Sequence, residues 1–517
     1  MQRRSFLKTS AAMGLGFGPA AAVKAMSRPA DNQTGQAAKK KPHIIFIMTD
    51  QHRADALGCM GNKSIFTPHI DSLAREGSLF TSGYTASPSS TPARAGLLTG
   101  MSPWGHGMLG YGKVAEKYKY EMPQMLRNLG YYTFGIGKMH WFPQKSLHGF
   151  HATLVDESGR SESKDFISDY REWFQLNAPG ENPDLTGIGW NAHGAGIYKL
   201  PEELHPTTWT GDMATELIRN YNQDKPLFLK VSFARPHSPY DPPQRYLDMY
   251  KNVDIPKPFI GEWCGEFAKP LDPQTASKDA AFANFGDDYA VNSRRHYSAN
   301  VTFIDDKVGE IIQALKEKGM YDNTLICFTA DHGDMLGDHH HWRKTYPYEG
   351  SAKIPYIVKW PETLERKVPK GASIEQPVEL RDFLPTFIDI AGGEVPPDMD
   401  GKSLCKLVQG EEASWRKYID MEHATCYRKE NYWCALTDGK IKYVWNFYTA
   451  KEELFDLVKD PKELHECSAD KAYKKQLEEM RAAMVAHLSE RGEGFVKDGR
   501  LVKRTDTLLY SPHYPQG

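Results

Sequence analysis

The residues whose types and spacing first indicate chemistry lie in the segment 90–100, which reads Ser-Thr-Pro-Ala-Arg-Ala-Gly-Leu-Leu-Thr-Gly. The proline near its start predicts that Ser90 lies at the N-terminus of a helix. Free N–H groups at such a terminus favour a bound anion, and Arg94 adds a positive charge one turn further on. The segment therefore predicts a nucleophilic group beside a site that stabilises negative charge.

Carboxylates follow two apolar runs that read as buried parallel strands. Asp50 follows the run His43–Thr49, and Asp331 follows the run Thr324–Ala330. Ligands gather beyond the carboxyl ends of strands in such sheets, so both side chains are expected to reach one crevice. Oxygen-rich ligands suit a hard cation such as Ca²⁺, although a histidine adds a softer nitrogen. The predicted metal ligands are Asp50, Gln51, Asp331 and His332.

Three further segments carry lysine or histidine in short polar motifs. They are Gly137-Lys138-Met139-His140, Arg235-Pro236-His237-Ser238-Pro239-Tyr240 and Trp342-Arg343-Lys344-Thr345-Tyr346-Pro347-Tyr348-Glu349. A lone lysine or histidine in a loop is more often solvated or structural than functional. These motifs therefore gain weight only from their order along the chain.

The segment that starts at Ser90 resembles the sulfatase signature, (Cys or Ser)-x-Pro-x-Arg followed by Leu-x-Thr-Gly. The other motifs follow in the order found in that family, and the resemblance covers roughly residues 42 to 465. It implies an alkaline-phosphatase-like α/β fold, with a large, mostly parallel sheet flanked by helices and a smaller C-terminal α+β subdomain. It also implies a sulfuric ester hydrolase with one calcium ion.

The resemblance assigns roles to individual residues. In that family the signature residue is oxidised to formylglycine, whose hydrate attacks sulfur and later eliminates sulfate. It implies that Ser90 becomes this group and also contacts the metal, and that Arg94 stabilises its alkoxide. The remaining catalytic residues implied are Lys138 for the hydrate or the sulfate, His140 for the hydrate, His237 for the leaving group and Lys344 for the sulfate.

Serine at the signature position resembles the sulfatases that radical-SAM, oxygen-independent enzymes convert. An anaerobic sulfatase-maturing enzyme is therefore an expected partner. Residues 2–8, Gln-Arg-Arg-Ser-Phe-Leu-Lys, precede a short apolar stretch and predict a twin-arginine signal peptide over 1–25, so the Tat translocon is another expected partner. We expect a disordered leader over 26–41 and a periplasmic or otherwise exported protein.

One loop departs from the family pattern just before Lys344. The family commonly reads Gly-Asp-His-Gly-Leu-Trp-Gly-Lys, whereas residues 337–344 read Gly-Asp-His-His-His-Trp-Arg-Lys. The larger polar residues either contact sugar hydroxyls or a second anionic group such as a uronate, or belong to a polar surface loop. The substrate-binding candidates are His340, His341 and Arg343 of this loop, and His106 outside it, whose ring either stacks on a sugar or packs in the core. A zinc site is disfavoured because consecutive histidines do not readily converge on one ion.

The remaining pattern alternates strands and helices. Strands are predicted at Tyr132–Ile136, Pro226–Phe233 and Ile354–Lys359, besides the two runs above. Helices are predicted from Pro68 and at Met122–Leu129, Thr208–Asn222 and Ser298–Lys318. Segments 177–196 and 254–292 are expected to be surface loops. We expect a catalytic domain over 42–414 and a subdomain over 415–517, in which Tyr432–Asn446 turns at Asp438-Gly439 and a helix spans Ala472–Arg491.

Composition excludes some classes of protein. The chain has 517 residues and a net charge of -2, so no global field favours nucleic acid. The signal segment is too short and glycine-rich for stable membrane insertion. The seven cysteines are scattered, and their odd number argues against a fully paired disulfide framework.

The sequence favours a sulfatase that acts on sulfated carbohydrate, because the chain carries an export signal and has loop insertions with polar and aromatic residues. An arylsulfatase and a phosphonate or phosphate ester hydrolase of the same superfamily remain open. An inactive glycan-binding protein on the same fold remains open for the case in which Ser90 is never oxidised.

Overall fold

The apolar run before Asp50 forms the centre of the main sheet in the computed structural model, which describes residues 40–157, 160–411 and 415–515. The strands of the described residues are β1 (His43–Asp50), β2 (Ser78–Phe80), β3 (Gly83–Tyr84), β4 (Tyr132–Gly137), β5 (Ala152–Val155), β6 (Leu227–Pro236), β7 (Thr324–Ala330), β8 (Tyr356–Lys359), β9 (Ala372–Ile374), β10 (Val378–Glu379), β11 (Ile419–His423), β12 (Trp433–Thr437), β13 (Ile441–Asn446), β14 (Lys451–Asp456), β15 (Val496–Lys497) and β16 (Arg500–Leu501).

The helices occupy most of the intervals between these strands. They are α1 (Pro68–Glu76), α2 (Ser90–Thr99), α3 (Pro103–His106), α4 (Met122–Asn128), α5 (Asp169–Asn177), α6 (Pro206–Asn220), α7 (Gln244–Asp248), α8 (Asp287–Glu317), α9 (Glu349–Ala352), α10 (Phe383–Ile390), α11 (Cys405–Val408) and α12 (Lys474–Leu488).

The main sheet has the order β5-β4-β6-β1-β7-β8-β2-β9. Strands β5, β4, β6, β1 and β7 are parallel neighbours, whereas β8 runs antiparallel to both β7 and β2. The expected large, mostly parallel mixed sheet is thus confirmed. Its central strands are buried on both faces, which explains why they read as continuous apolar runs.

Alternate residues of β1 enter two different cores. Ile44, Phe46 and Met48 pack with the side that includes α2, α4 and α10. Ile45 and Ile47 pack with the side that includes α1, α6 and α8. Because side chains alternate across a strand, one sheet carries a helical layer on each face.

The carboxyl ends of β1 and β7 lie side by side. Thr49 pairs with Ala330 in the parallel ladder, so Asp50 and Asp331 leave the sheet at the same edge. The register of β1 against β6 shifts between Thr49 and Asp50, and the backbone N–H of His237 donates to the carbonyl of Asp50. The topology therefore brings three of the predicted motifs to one edge.

One expected loop is shorter than predicted. Segment 254–292 is irregular at first, but α8 begins at Asp287, eleven residues before the predicted start. Gly286 has a positive φ of 82°, and Asp287 and Asp288 lie in the first turn, where carboxylates are favoured by the helix dipole. The irregular segment therefore ends earlier than predicted, because these acidic residues begin the helix.

The C-terminal part contains the antiparallel sheet β11-β12-β13-β14 with α12 packed against it. Strands β12 and β13 flank a turn at Asp438-Gly439, as predicted, and α12 lies within the predicted helix 472–491. The smaller α+β subdomain is confirmed. The described residues from Lys41 onwards belong to one compact unit.

The predicted signal peptide lies outside the described residues, as does the leader except for its last residues. Among the described helices, none is both long enough and apolar enough to cross a membrane.

Candidate active site

Ser90 is the first residue of α2 and is buried at the edge where β1 and β7 end. Its Oγ lies 3.0 Å from Nε2 of His332 and 3.3 Å from Oδ2 of Asp50. The Nδ1 proton of His332 is donated to the carbonyl of Gly333, at 2.9 Å, which leaves Nε2 with a lone pair towards Ser90. A group at this position therefore meets a helix N-terminus, a carboxylate and an imidazole nitrogen.

Arg94 joins the two carboxylates of the edge. Its Nε donates to Asp331 at 3.0 Å, and its terminal nitrogens donate to Asp50 at 3.1 Å and to the carbonyl of Lys138 at 2.6 Å. A further bond, of 3.0 Å, reaches Oγ of Ser232 on β6. The guanidinium is fully buried, and its planar fork suits this arrangement.

Lys138 follows β4 and points to the same carboxylate. Its Nζ lies 2.6 Å from Oδ2 of Asp50. Burial lowers the pKa of Lys138 to about 8, although the charge of Asp50 opposes the shift. Burial alone would raise the pKa of Asp50, but Lys138 and other nearby cations hold it well below its usual value. Asp50 is therefore an anion in a strongly positive surrounding.

Three of the four predicted metal ligands converge. One ligand atom each from Asp50, Asp331 and His332 lies within 4.8 Å of the others, and all three residues are buried. Oδ1 of Asp50 is buried without a hydrogen-bond partner, which marks a place for a cation. Gln51 adjoins this group through its backbone N–H, which donates to Asp331 at 3.0 Å, whereas its side-chain Oε1 accepts Nζ of Lys344. The donor set fits a divalent cation.

Lys344 and His237 complete the cluster from two other loops. Nζ of Lys344 donates to Oε1 of Gln51 and contacts Nε2 of His237, both at 2.9 Å. The Nδ1 proton of His237 is donated to the carbonyl of Ser238, at 3.0 Å. Burial, followed by the charge of Lys344, holds the pKa of His237 well below its usual value. Burial also lowers the pKa of Lys344, to about 7, so the pair offers a neutral imidazole and an amine that a bound anion would keep protonated.

Comparisons with known proteins decide the family. The sulfatase family model matches residues 42–393, and a model described as N-sulphoglucosamine sulphohydrolase, C-terminal, matches residues 337–490. An arylsulfatase of Clostridium perfringens is 37% identical over 90% of this chain and 98% of its own length. The chain belongs to the sulfatase family. It is an enzyme that hydrolyses sulfuric esters.

Further similarities are to a choline-sulfatase and to two solved structures. A choline-sulfatase of Rhizobium meliloti is 32% identical over 82% of both chains. A solved structure in complex with its substrate D-glucosamine-2-N,6-O-disulfate superposes with a TM-score of 0.70 and 23% identity, over 87% of this chain and 98% of the other. The structure of a phosphonate monoester hydrolase of Agrobacterium radiobacter superposes with a TM-score of 0.74 and 23% identity, over 90% of this chain and 99% of the other. At these identities the structures establish the fold alone.

His140 of the sulfatase contacts a residue that the motifs did not indicate. Its ring nitrogens lie 2.8 and 3.2 Å from a terminal nitrogen of Arg160, and its ring packs edge-on to Tyr111. Glu157 accepts the backbone N–H groups of Met139 and His140. The signal that could have found Arg160 and Glu157 is slight: they are charged residues close after β5, which also ends at this edge of the sheet.

The substrate-binding candidates are dispersed. His106 is buried near Gly96 of α2, and its Nδ1 accepts the N–H of Met108. His341 is buried among aromatic rings that include Trp263 and Phe282. Burial is the main cause that lowers the pKa of each histidine to about 3. The structure thus places both in packed surroundings rather than with the Ser90 cluster.

The other two candidates are partly exposed. His340 is half-buried, and its carbonyl accepts the N–H of Ala283. Arg343 lies over the ring of Tyr427, with its guanidinium carbon 4.8 Å from the ring centre, and it donates to the carbonyl of Asp279 at 3.1 Å. Arg343 directly precedes Lys344, so it lies beside the cluster.

Proposed function

We propose that this sulfatase removes sulfate from sulfated carbohydrates, with a formylglycine made from Ser90 as nucleophile and one bound Ca²⁺. The position of Ser90 carries the proposal. It combines a helix N-terminus with Asp50, His332 and the Arg94 network, which is where a group that attacks an anionic ester needs support.

The oxidised residue would supply an aldehyde hydrate with two hydroxyl groups: one oxygen would attack sulfur, and the second would allow sulfate to be eliminated as the aldehyde is restored, which serine does not permit. Asp50, Gln51, Asp331 and His332 would hold the cation, which would polarise the sulfate group as a Lewis acid. The Nδ1–H bond of His332 to Gly333 fixes the tautomer that presents Nε2, as outer-shell partners of metal-binding histidines do.

The remaining residues bind the ester and handle protons. Arg94 and Lys138 keep Asp50 ionised and place positive charge beside the nucleophile. Lys344 would bind a sulfate oxygen, and His237 beside it would hydrogen-bond the leaving-group oxygen. His140 would accept a proton from the hydrate when sulfate is eliminated.

The proposal of a carbohydrate substrate is supported by relatives of similar length. An N-acetylglucosamine-6-O-sulfatase of Bacteroides thetaiotaomicron is 26% identical over 85% of both chains. The arylsulfatase of Clostridium perfringens supports an aryl ester as the alternative substrate class. Turnover of N-acetylglucosamine 6-sulfate against 4-nitrophenyl sulfate separates the two classes, and a phosphonate monoester in the same assay tests the third alternative.

The decisive experiment examines Ser90 itself. The protein is co-expressed with an anaerobic sulfatase-maturing enzyme, and the tryptic peptide 76–94 is analysed by mass spectrometry. Conversion to the aldehyde removes two hydrogens, a loss of about 2 Da, and creates the covalent nucleophile. We expect this loss together with sulfate release, and neither in Ser90→Ala. The matched variant Ser89→Ala is expected to keep both.

The proposal is wrong if Ser90 stays unmodified beside a competent maturase while sulfate is still released. Full conversion without release of sulfate from any ester would instead favour a glycan-binding protein. The twin-arginine segment supports export as part of the proposal, which fractionation of the native host tests directly.

A further inference from the structure

Arg160 is a cation of the candidate active site that has no role in the proposed hydrolysis of the sulfate ester. Its backbone is fixed at both ends, because its N–H donates to the carbonyl of Glu157 at 3.0 Å and its own carbonyl accepts Nε2 of Gln144 at 3.3 Å. Its guanidinium lies 2.8 Å from Nε2 of His140. Its backbone is therefore anchored, and its side chain is directed to His140.

The guanidinium of Arg160 has no carboxylate partner among the residues that the structure describes. Arg94 and Lys138 are both balanced by Asp50 or Asp331, whereas Arg160 contacts only the imidazole of His140. A half-buried guanidinium next to a neutral imidazole is incompletely satisfied, because it offers five N–H donors in a rigid fork.

The charge of Arg160 acts on the same cleft that holds the sulfate-binding residues. Burial is the largest cause that lowers the pKa of each of four groups, and the positive charge of Arg160 lowers each pKa further. The four groups are Lys138, His140, His237 and Lys344. The guanidinium thus lies close enough to these four groups for its charge to act on them, and its direct contact is with His140.

A sulfate monoester carries one negative charge, and Lys344, which also has no carboxylate partner within the described chain, is placed to take it. Arg160 remains uncompensated after that ester binds. Tyr111 packs against the same imidazole, with its ring centre 6.0 Å from that of His140, and leaves half of its surface exposed. An exposed ring and a guanidinium that share one neighbour suit a sugar that carries an acidic group.

We propose that Arg160 binds a second anionic group of the substrate, a carboxylate or another sulfate near the scissile one, so that this sulfatase prefers sulfated acidic sugars. The inference rests on the proposed function, because it takes the sulfate to occupy the site beside Ser90. It makes Arg160 a specificity residue and leaves the bond cleavage to the residues already described.

The test compares esters that differ by one carboxylate. The kcat/KM for phenyl sulfate and for 2-, 3- and 4-carboxyphenyl sulfate is measured on wild type, Arg160→Gln, Arg160→Lys and the control Arg171→Gln. Arg171 lies on α5 and pairs with Asp184. For each ester, kcat/KM of the variant is divided by that of the wild type, which removes the differences between leaving groups. We expect Arg160→Gln to lower kcat/KM for at least one carboxylated ester about 10-fold more than for phenyl sulfate, mainly through KM.

Arg160→Lys is expected to keep part of the preference, and Arg171→Gln all of it. An equal loss of kcat/KM for all esters would overturn the proposal. If the pH dependence of kcat/KM also shifted, Arg160 would instead be a positioning residue for His140. Unchanged kinetics in Arg160→Gln would overturn the proposal as well. Dissociation constants of the same esters on Ser90→Ala protein repeat the comparison without turnover. If the wild type released no sulfate but still bound the carboxylated esters through Arg160, the proposed function would be wrong and the role of Arg160 in binding would stand.

Discussion

Lys344 and His237 come from loops that lie more than a hundred residues apart, yet their Nζ and Nε2 atoms are 2.9 Å apart. The Nδ1 proton of His237 is held by the carbonyl of Ser238, so Nε2 is the nitrogen that faces the cleft. Simultaneous protonation of both groups is opposed by their mutual repulsion. The pair can therefore bind an anion through Lys344 and exchange a proton through His237.

Removal of His237 should affect poor leaving groups most. His237→Ala is expected to lower kcat/KM for N-acetylglucosamine 6-sulfate by about 10²–10⁴, the range for general acid–base residues. The loss for 4-nitrophenyl sulfate should be smaller, because nitrophenolate leaves without a proton. The measurement is kcat/KM over a series of aryl sulfates plotted against the pKa of the leaving phenol. A steeper slope in the variant is the expected result.

The exposed His513 near the C-terminus provides the control for this series. His513→Gln should keep the wild-type slope and rate. An identical slope in wild type and His237→Ala would show that His237 does not act on the leaving group.

Calcium should stabilise the fold through Asp50. A ligand that binds the folded state stabilises it more as the ligand concentration rises above Kd. Ca²⁺ is therefore expected to raise the Tm of chelator-treated protein and to restore its release of sulfate. Asp50→Asn should abolish both effects, because the buried Oδ1 of Asp50 has no other partner. Thermal scans at several calcium concentrations measure the shift.

A second group of possible metal ligands serves as the control. His69, Asp305 and Asp306 also offer ligand atoms within 4.8 Å, but Asp305 already accepts the N–H groups of His69 and Ile70. Asp306→Asn should leave the calcium effect intact. Restoration by a transition metal and not by calcium would show that the nitrogen of His332 decides the choice of metal.

Arg94 should matter for both stability and catalysis. Arg94→Ala removes the guanidinium that pairs with both Asp50 and Asp331, and breaking a buried ion pair in this way costs about 3–5 kcal/mol. Arg94→Lys keeps the charge but does not span the two carboxylates and the carbonyl of Lys138 together. We expect sulfate release to be lost in Arg94→Ala and strongly reduced in Arg94→Lys, measured well below each variant's Tm.

Arg381 allows loss of stability to be separated from loss of chemistry. It is also a buried arginine, and it pairs with Asp420. Arg381→Lys should lower Tm while kcat remains near the wild-type value. If Arg94→Lys showed the same behaviour, its role would be structural only.

The sequence predicted those parts of the fold and site that follow from local pattern. The apolar runs before Asp50 and Asp331 predicted two strands, and the topology of parallel sheets then predicted that their ends meet. The helix at Ser90 followed from its proline. Because each of these signals lies within a few residues, no long-range information was needed.

Residues outside a motif were not predicted, because their roles depend on long-range packing. Ser232 contacts Arg94 from the middle of an apolar run, and Arg160 reaches His140 from an irregular segment. Conversely, His106 and His341 suggested exposed binding residues, but local backbone groups satisfy their Nδ1 atoms and permit burial. Polarity alone does not distinguish these cases.

Lys230 should make stability depend on pH. It is buried on β6, with Nζ 5.2 Å from the ring centre of Trp141, and no carboxylate in the described ranges forms an ion pair with it. Burial, followed by the charge of Arg94, lowers its pKa to about 7. Between pH 7 and the usual lysine value of 10.5, the unfolded chain therefore binds more protons, so the contribution of Lys230 to stability rises with pH.

Lys230→Met removes this charge and keeps the length of the side chain. Below pH 7 the buried charge is present at full cost in wild type, so the variant should be more stable there, by about 1–4 kcal/mol. The difference should shrink as pH rises and vanish near pH 10, which Tm measured against pH for both proteins will show. Lys359 is also a buried lysine whose pKa is lowered by burial, to about 8, but its Nζ donates to the carbonyl of Tyr321 at 2.7 Å. Lys359→Met should therefore be less favourable to stability than Lys230→Met, because that buried carbonyl loses its donor. A difference between Lys230→Met and wild type that does not change with pH would show that Lys230 is not the titrating group.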